Sequence, residues 1–232
     1  MDAETGKTIW KSRSLQDEGG YASPILITYN GHRKIVALTG NRIVGVNPEN
    51  GQIDWTFDDL GKEGSQYIVP TNTPLYKDGR IFTANGYGAG AFMLQLNEDA
   101  SGVRLLWRNK GFDPHHGCFV LVDGIIYGSS HGRNGLGKWM AVDWNTGRTR
   151  FEMNWGKGVG EGSVIAADGM LYCSDERRGM VGLVRVNPAK FDLVSFFRIT
   201  RGEGAFWAHP VIHRGILYVR HGNALMAYKI KG

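Results

Sequence analysis

The sequence is poor in the features that usually announce a chemistry. It has two cysteines in 232 residues, Cys118 and Cys173. Neither has a second cysteine two residues away, which removes the usual zinc-knuckle spacing. Each lies in or beside a short apolar strand, so both are expected to be buried free thiols. No apolar run approaches the roughly 18 residues of a membrane span, so no transmembrane segment is expected. No signal-peptide pattern opens the chain. Lys and Arg total 27 against 22 Asp and Glu. They are scattered singly, apart from pairs such as Arg33-Lys34 and Arg177-Arg178. The basic stripe interleaved with aromatics that a nucleic-acid partner requires is missing, so no such partner is expected. No helical period of useful length appears. Gly86-Tyr87-Gly88-Ala89-Gly90 is glycine-rich but joins no strand to a helix, so it is not a dinucleotide loop. Ser129 and Ser163 lack a nucleophile elbow.

Glycine and aromatics are plentiful, with 34 glycines, 10 Phe, 9 Tyr and 7 Trp, and 42% of the chain is hydrophobic. That composition suits many short strands joined by tight turns around a packed core. One unit recurs five times: DAETGKTIW at 2–10, NPENGQIDW at 47–55, NEDASGVRLLW at 97–107, DWNTGRTRF at 143–151 and a degraded NPAKFDLVSFF at 187–197. Its closing aromatics, Trp10, Trp55, Trp107, Phe151 and Phe197, are 45, 52, 44 and 46 residues apart. A second landmark keeps phase with it, a two-residue turn before an apolar strand. It begins at Asn30-Gly31, Asp78-Gly79, Asp123-Gly124, Asp168-Gly169 and Arg214-Gly215. Asn-Gly and Asp-Gly favour type I′ hairpins because both central residues need positive φ. Four strands per roughly 45 residues match one blade of a β-propeller. In each unit an Asx side chain can cap the backbone two residues on, and glycine supplies the left-handed position before the fourth strand. The closing aromatic is expected to dock on a neighbouring blade beside glycine, a structural role.

The D-x-x-T-G-x-x-x-W element resembles the tryptophan-docking repeat of pyrroloquinoline-quinone (PQQ) dehydrogenase-like propellers, a bacterial family with catalytic and non-catalytic members. The resemblance covers residues 2–232. It implies an all-β propeller of four-stranded antiparallel blades and a periplasmic or cell-envelope setting. Five blades' worth is expected. Residues 1–12 form the outer strand of a closing blade, and 22–57, 72–109, 115–154 and 160–199 form complete blades. Residues 206–232 supply the inner three strands of the last. Because Met1 opens inside a motif, an N-terminally truncated propeller of seven or eight blades is expected, with a five-blade ring as the alternative.

In this strand order, loops joining a fourth strand to the next first strand share a face with loops joining second and third strands, and ligands usually bind on such a face. The first set includes Tyr21, residues 69–73 with Asn72, His115, His116, Glu161, Trp207 and His209. The second includes His131, Asp175 and His221. Five of the seven histidines fall on this face. The residue types suit structural loop bonding or a pocket for a small polar ligand or protein, with Trp207 or Tyr21 as stacking platform. No metal site is assigned, because ligation needs convergence that spacing across blades does not supply. By resemblance, a quinoprotein dehydrogenase of alcohols or sugars would need PQQ, calcium and an adjacent cysteine pair. Cys118 and Cys173 are not adjacent, so a non-catalytic binding or scaffold module is the preferred reading. That dehydrogenase is the alternative, and a hydrolase or lyase on the histidine-rich face is a third. Catalytic residues are not assigned; Asp175 and Glu161 are the acids to test as bases.

Overall fold

Five two-residue turns set the architecture. Asn30, Asp78, Asp123, Asp168 and Arg214 have φ between 47° and 52°, and the glycine after each has φ between 73° and 81°. Two successive left-handed residues define a type I′ turn, whose twist matches that of the strands it joins. The flanking residues pair directly: Tyr29 with His32, Lys77 with Arg80, Val122 with Ile125, Ala167 with Met170 and His213 with Ile216.

The structure is a computed structural model that describes residues 1–61, 70–132, 137–155 and 160–230. Val69 of the expected loop, residues 133–136 of the expected third blade, and 231–232 of the expected last blade lie outside the described residues. Among the described residues there is no helix. The strands form five antiparallel meanders. The first sheet holds β1 (Ile25–Tyr29), β2 (His32–Leu38), β3 (Ile43–Val46) and β4 (Ile53–Phe57). The second holds β5 (Leu75–Lys77), β6 (Arg80–Ala84), β7 (Ala91–Leu96) and β8 (Val103–Asn109). The third holds β9 (Phe119–Val122), β10 (Ile125–Ser130), β11 (Lys138–Asp143) and β12 (Thr149–Met153). The fourth holds β13 (Gly162–Ala167), β14 (Met170–Asp175), β15 (Met180–Arg185) and β16 (Asp192–Arg198). The fifth has three strands, β17 (Val211–His213), β18 (Ile216–His221) and β19 (Ala224–Lys229).

The sheets repeat one another in detail. The register slips once between third and fourth strands, at Gly45/Val46, Ala141/Val142 and Leu183/Val184. The Asx turn recurs as well. The N–H groups of Gly6, Gly51 and Gly147 donate to the carbonyls of Asp2, Asn47 and Asp143, each at 2.9 Å. Thr5 N–H donates to Asp2 Oδ1 at 2.7 Å, as Thr146 N–H does to Asp143 Oδ1 at 2.9 Å. Strands β3 and β10 are buried along their whole length, whereas the outer β12 and β16 are largely exposed. An inner strand covered on both faces reads as a continuous apolar run, and only an outer strand faces water.

The chain divides into two compact units, Met1–Arg108 and Asn109–Gly232. The core of the first contains Ile27, Val36, Ile43, Trp55, Phe92 and Leu94. Residues 1–12, expected as an outer strand, make no ladder pairing among the described residues. Their Asx turn forms, and Trp10 packs on Gly51, where a β-carbon would stand 2.3 Å from its ring; its indole N–H donates to Pro48 O at 2.8 Å. Trp55 lies over Gly45 of its own sheet and shares a buried cluster with Ala100. Trp107 faces Phe82, with ring centroids 5.7 Å apart. In the second unit, Phe151 meets Phe191 at 6.5 Å and Phe197 meets Tyr228 at 4.5 Å.

Candidate functional site

Five loops of the second unit bring the site together. His115 and His116 precede β9, and His131 follows β10. Glu161 precedes β13, and Glu176 and Arg177 follow β14. Trp207 and His209 precede β17.

Local chemistry fixes each loop. Asn109 Oδ1 accepts from the N–H groups of Gly111 and Phe112 at 2.9 and 3.0 Å, an Asx turn that starts the histidine loop. Asp113 N–H donates to Ser130 Oγ at 3.1 Å, and His131 N–H to Asp113 O at 2.9 Å. The loop then passes so close to β13 that a β-carbon on Gly117 would stand 2.0 Å from Gly162 O. Only glycine fits that approach. Arg178 N–H donates to Asp175 Oδ2 at 2.5 Å, closing the turn that presents Glu176 and Arg177.

The side chains form one network. The His115 ring lies 4.5 Å from His116 and 5.3 Å from His131. The Nδ1 of His131 is 3.4 Å from Glu161 Oε2. Arg177 Nε donates to Glu161 Oε1 at 2.9 Å, and Gly132 N–H to Oε2 at 3.1 Å. Glu176 Oε2 stands 3.4 Å from His116 Nε2, within the field of the Glu161 charge. The other side of His116 faces Trp207, with centroids 5.0 Å apart. Trp207 is 61% exposed, so its indole is open to solvent beside a half-buried polar cluster. His209 Nε2 lies 3.0 Å from His116 O, and the neighbouring Cys118 side chain raises the pKa of its imidazole.

The electrostatics separate the two glutamates. Glu161 is buried, which alone would raise its pKa, but bonds from His131, Arg177 and Gly132 outweigh this and hold it down at about 2. Burial and the neighbouring Glu161 charge push Glu176 up to about 7. Near neutrality one carboxyl is ionised and its neighbour is poised to gain or lose a proton. Burial, with His116 and His131 as like charges, brings His115 down to about 4, so it is neutral. His116 is lowered mainly by burial and by His209, while the hydrogen bond to Glu161 raises His131. Asp175 is fully buried, and burial raises its pKa against the backbone N–H groups it accepts from. Its Oδ1 has no hydrogen-bond partner among the described residues.

Of the residues singled out from the sequence, His115, His116, His131, Glu161, Trp207 and His209 come together, with Asp175 beside Glu161. His221 is engaged elsewhere in the same unit. Its ring stacks on Phe206 at 3.6 Å, and its two nitrogens each lie 2.8 Å from a carbonyl, of Arg201 and Gly204. Tyr21 and Asn72 belong to the first unit. Tyr21 is 78% exposed and its N–H donates to Pro70 O; Asn72 is buried, with Nδ2 donating to Ala84 O at 3.1 Å. Sequence reasoning passed over Glu176, whose only signal is its place beside Asp175. Cys118 is half-buried rather than buried, and both cysteines are free.

Among the described residues, no group of three or more His, Cys, Asp and Glu is arranged to hold a metal ion.

Comparison with solved structures places the fold. The chain is 16% identical to BamB from Moraxella catarrhalis, with a TM-score of 0.67 over 90% of this chain and 58% of that one. It is 16% identical to the quinohemoprotein alcohol dehydrogenase ADHIIG from Pseudomonas putida HK5, with a TM-score of 0.60 over 95% of this chain and 43% of that one. It is 12% identical to Sqt1 from Saccharomyces cerevisiae, with a TM-score of 0.66 over 88% and 58%. The chain thus spans less than two thirds of each of these proteins. No curated protein sequence matches it. The fold is an all-β propeller of four-stranded antiparallel blades. The family model described as outer membrane protein assembly factor BamB matches residues 1–153, and the chain belongs to that family of PQQ-like repeat propellers.

Proposed function

We propose that this chain is a binding module of the cell envelope, and that the His116–Glu161–Glu176–Trp207 face of its second unit takes a small polar ligand rich in hydroxyl groups. One observation carries the reading, an exposed indole beside a half-buried carboxyl–imidazole network. The apolar face of a sugar or polyol ring stacks on such an indole, while its hydroxyls exchange hydrogen bonds with carboxylate, carboxyl and imidazole groups. Glu161 acts as a fixed acceptor, Glu176 near neutrality as a donor, and Arg177 supplies further N–H groups. The family's description as an assembly factor supports the envelope setting.

Calorimetric titration with a panel of monosaccharides, disaccharides and polyols tests the proposal. Binding by at least one class, lost in Trp207→Ala and weakened in Glu161→Gln, is the expected result. Heats that are absent across the panel, or unchanged by both substitutions, overturn it.

A protein dock is the second reading. It is favoured by the side chains that the second unit leaves in solvent, with Leu225 71%, Phe196 58% and Val211 56% exposed. Co-purification that depends on Phe196 and Leu225, and not on Trp207, would favour it over the small-ligand site.

A further inference from the structure

We propose that His116 and Glu176 act as a proton-operated latch on Trp207: one shared proton keeps the indole in place as the ligand platform, and its loss releases it. The inference rests on the small-ligand reading above and adds the regulation of that site.

The pair ties three loops together. Glu176 begins the turn after β14, and its N–H donates to Glu161 O at 3.1 Å, which fixes it to the loop before β13. Its carboxyl reaches the loop before β9, with Oε2 3.4 Å from His116 Nε2. Both side chains are mostly covered, with 22% of His116 and 13% of Glu176 exposed. His116 also meets Trp207, the ring centroids 5.0 Å apart. The loop that carries Trp207 is held to the same histidine a second time, because His209 Nε2 lies 3.0 Å from His116 O. A displacement of His116 therefore reaches the indole directly.

The charges around the pair decide when it holds its proton. Glu161 has its own donors, Arg177 Nε at 2.9 Å, Gly132 N–H at 3.1 Å and His131 Nδ1 at 3.4 Å, so it stays ionised. A half-covered carboxyl beside a fixed carboxylate keeps its proton to higher pH. His131 and Arg177 are the positive groups that work against this at Glu176, and both are already engaged with Glu161. On the imidazole side, burial opposes a positive charge on His116, as do His209 and His131, and Glu161 favours it. His115, its ring 4.5 Å from His116, is neutral. The shared proton therefore rests on the Glu176 carboxyl, where burial and the Glu161 charge place its loss near pH 7. With the proton, the contact joins a neutral acid to a neutral base. Without it, a second carboxylate stands beside Glu161, and turning that side chain into solvent relieves both the repulsion and the desolvation. His116 then loses its partner, and the ring that Trp207 meets moves with it.

The test follows Trp207 fluorescence in the intact chain from pH 5 to 9, taken as the difference between wild type and Trp207→Phe. The Trp207 signal is expected to titrate with one midpoint near 7. Glu176→Gln carries a neutral side chain at every pH and should hold the signal at its acid level. Glu161→Gln removes the neighbouring charge and should move the midpoint down towards the ordinary carboxylate value of about 4.3, a shift that a merely structural role would not produce. In calorimetric titration with the saccharide and polyol panel, a ligand should bind about tenfold more tightly at pH 6 than at pH 8, because the competent form falls from about ten in eleven molecules to about one in eleven. Glu176→Gln should bind it equally at both. A flat Trp207 signal, or one that titrates unchanged in both glutamine variants, overturns the latch, as does wild-type binding of equal strength at the two pH values. A Trp207 titration as described with no heat across the panel supports the latch and overturns the small-ligand reading. Should Glu176→Gln fail to fold, the midpoints of wild type and Glu161→Gln decide.

Discussion

Trp155 lies against the backbone of Gly182, its Cζ3 2.5 Å from the point where a β-carbon would stand. Its ring also meets Phe191 at 6.2 Å and Phe196 at 5.6 Å. An indole from the segment after the third sheet thus fills a gap in β15 of the fourth that exists only because residue 182 has no side chain. Gly182→Ala forces the two apart. The expected cost is about 1–3 kcal/mol of stability, as for other overpacked cores. Urea unfolding followed by far-UV circular dichroism measures it. Trp155→Leu in the same background should recover part of the loss.

Arg214 is the odd residue among the five turns. It adopts φ 49° where the other turns have Asn or Asp, side chains that tolerate the left-handed region. Arg214→Asn is expected to stabilise the chain by about 0.5–1 kcal/mol, read as a higher urea midpoint with an unchanged slope.

Glu176 gives the stability of the chain a pH dependence of known sign. Its pKa is raised to about 7 in the folded chain by burial and by the Glu161 charge. Between the ordinary carboxylate range and pH 7, the folded state therefore holds a proton that the unfolded state has lost. Stability from this group is full at acid pH and falls as pH rises through 7. Glu176→Gln removes that dependence. The variant should match wild type near pH 4.5 and exceed it by about 1–3 kcal/mol at pH 8. Thermal unfolding at the two values checks it. Glu161 has the opposite sign. Its lowered pKa contributes stability above the ordinary carboxylate range, lost as pH falls towards 2.

Turns and repeats could be read from the sequence because they rest on local chemistry. Asp-Gly and Asn-Gly encode two successive left-handed residues, and the Asx turn at 143–147 forms from the same side-chain bonds as at 2–6. Phe151 was readable as the closing aromatic of its repeat. The docking onto glycine is made by Trp155, four residues on, where no motif marks it. The site was partly legible. Grouping loops by strand order put His116, Glu161 and Trp207 on one face. Which of two adjacent acids would be sealed in was not encoded by composition. Asp175 ends β14 and turns inward, while Glu176 begins the turn and reaches His116.

Imidazole NMR across pH 3–9, assigned by single histidine substitutions, tests most directly whether these separate loops form one electrostatic network. His131 should keep its proton above the ordinary value near 6.5, and His115 should stay neutral down to about pH 4. Glu161→Gln should remove the rise at His131. Titration of His115, His116 and His131 together near 6.5, unaffected by Glu161→Gln, would contradict the site.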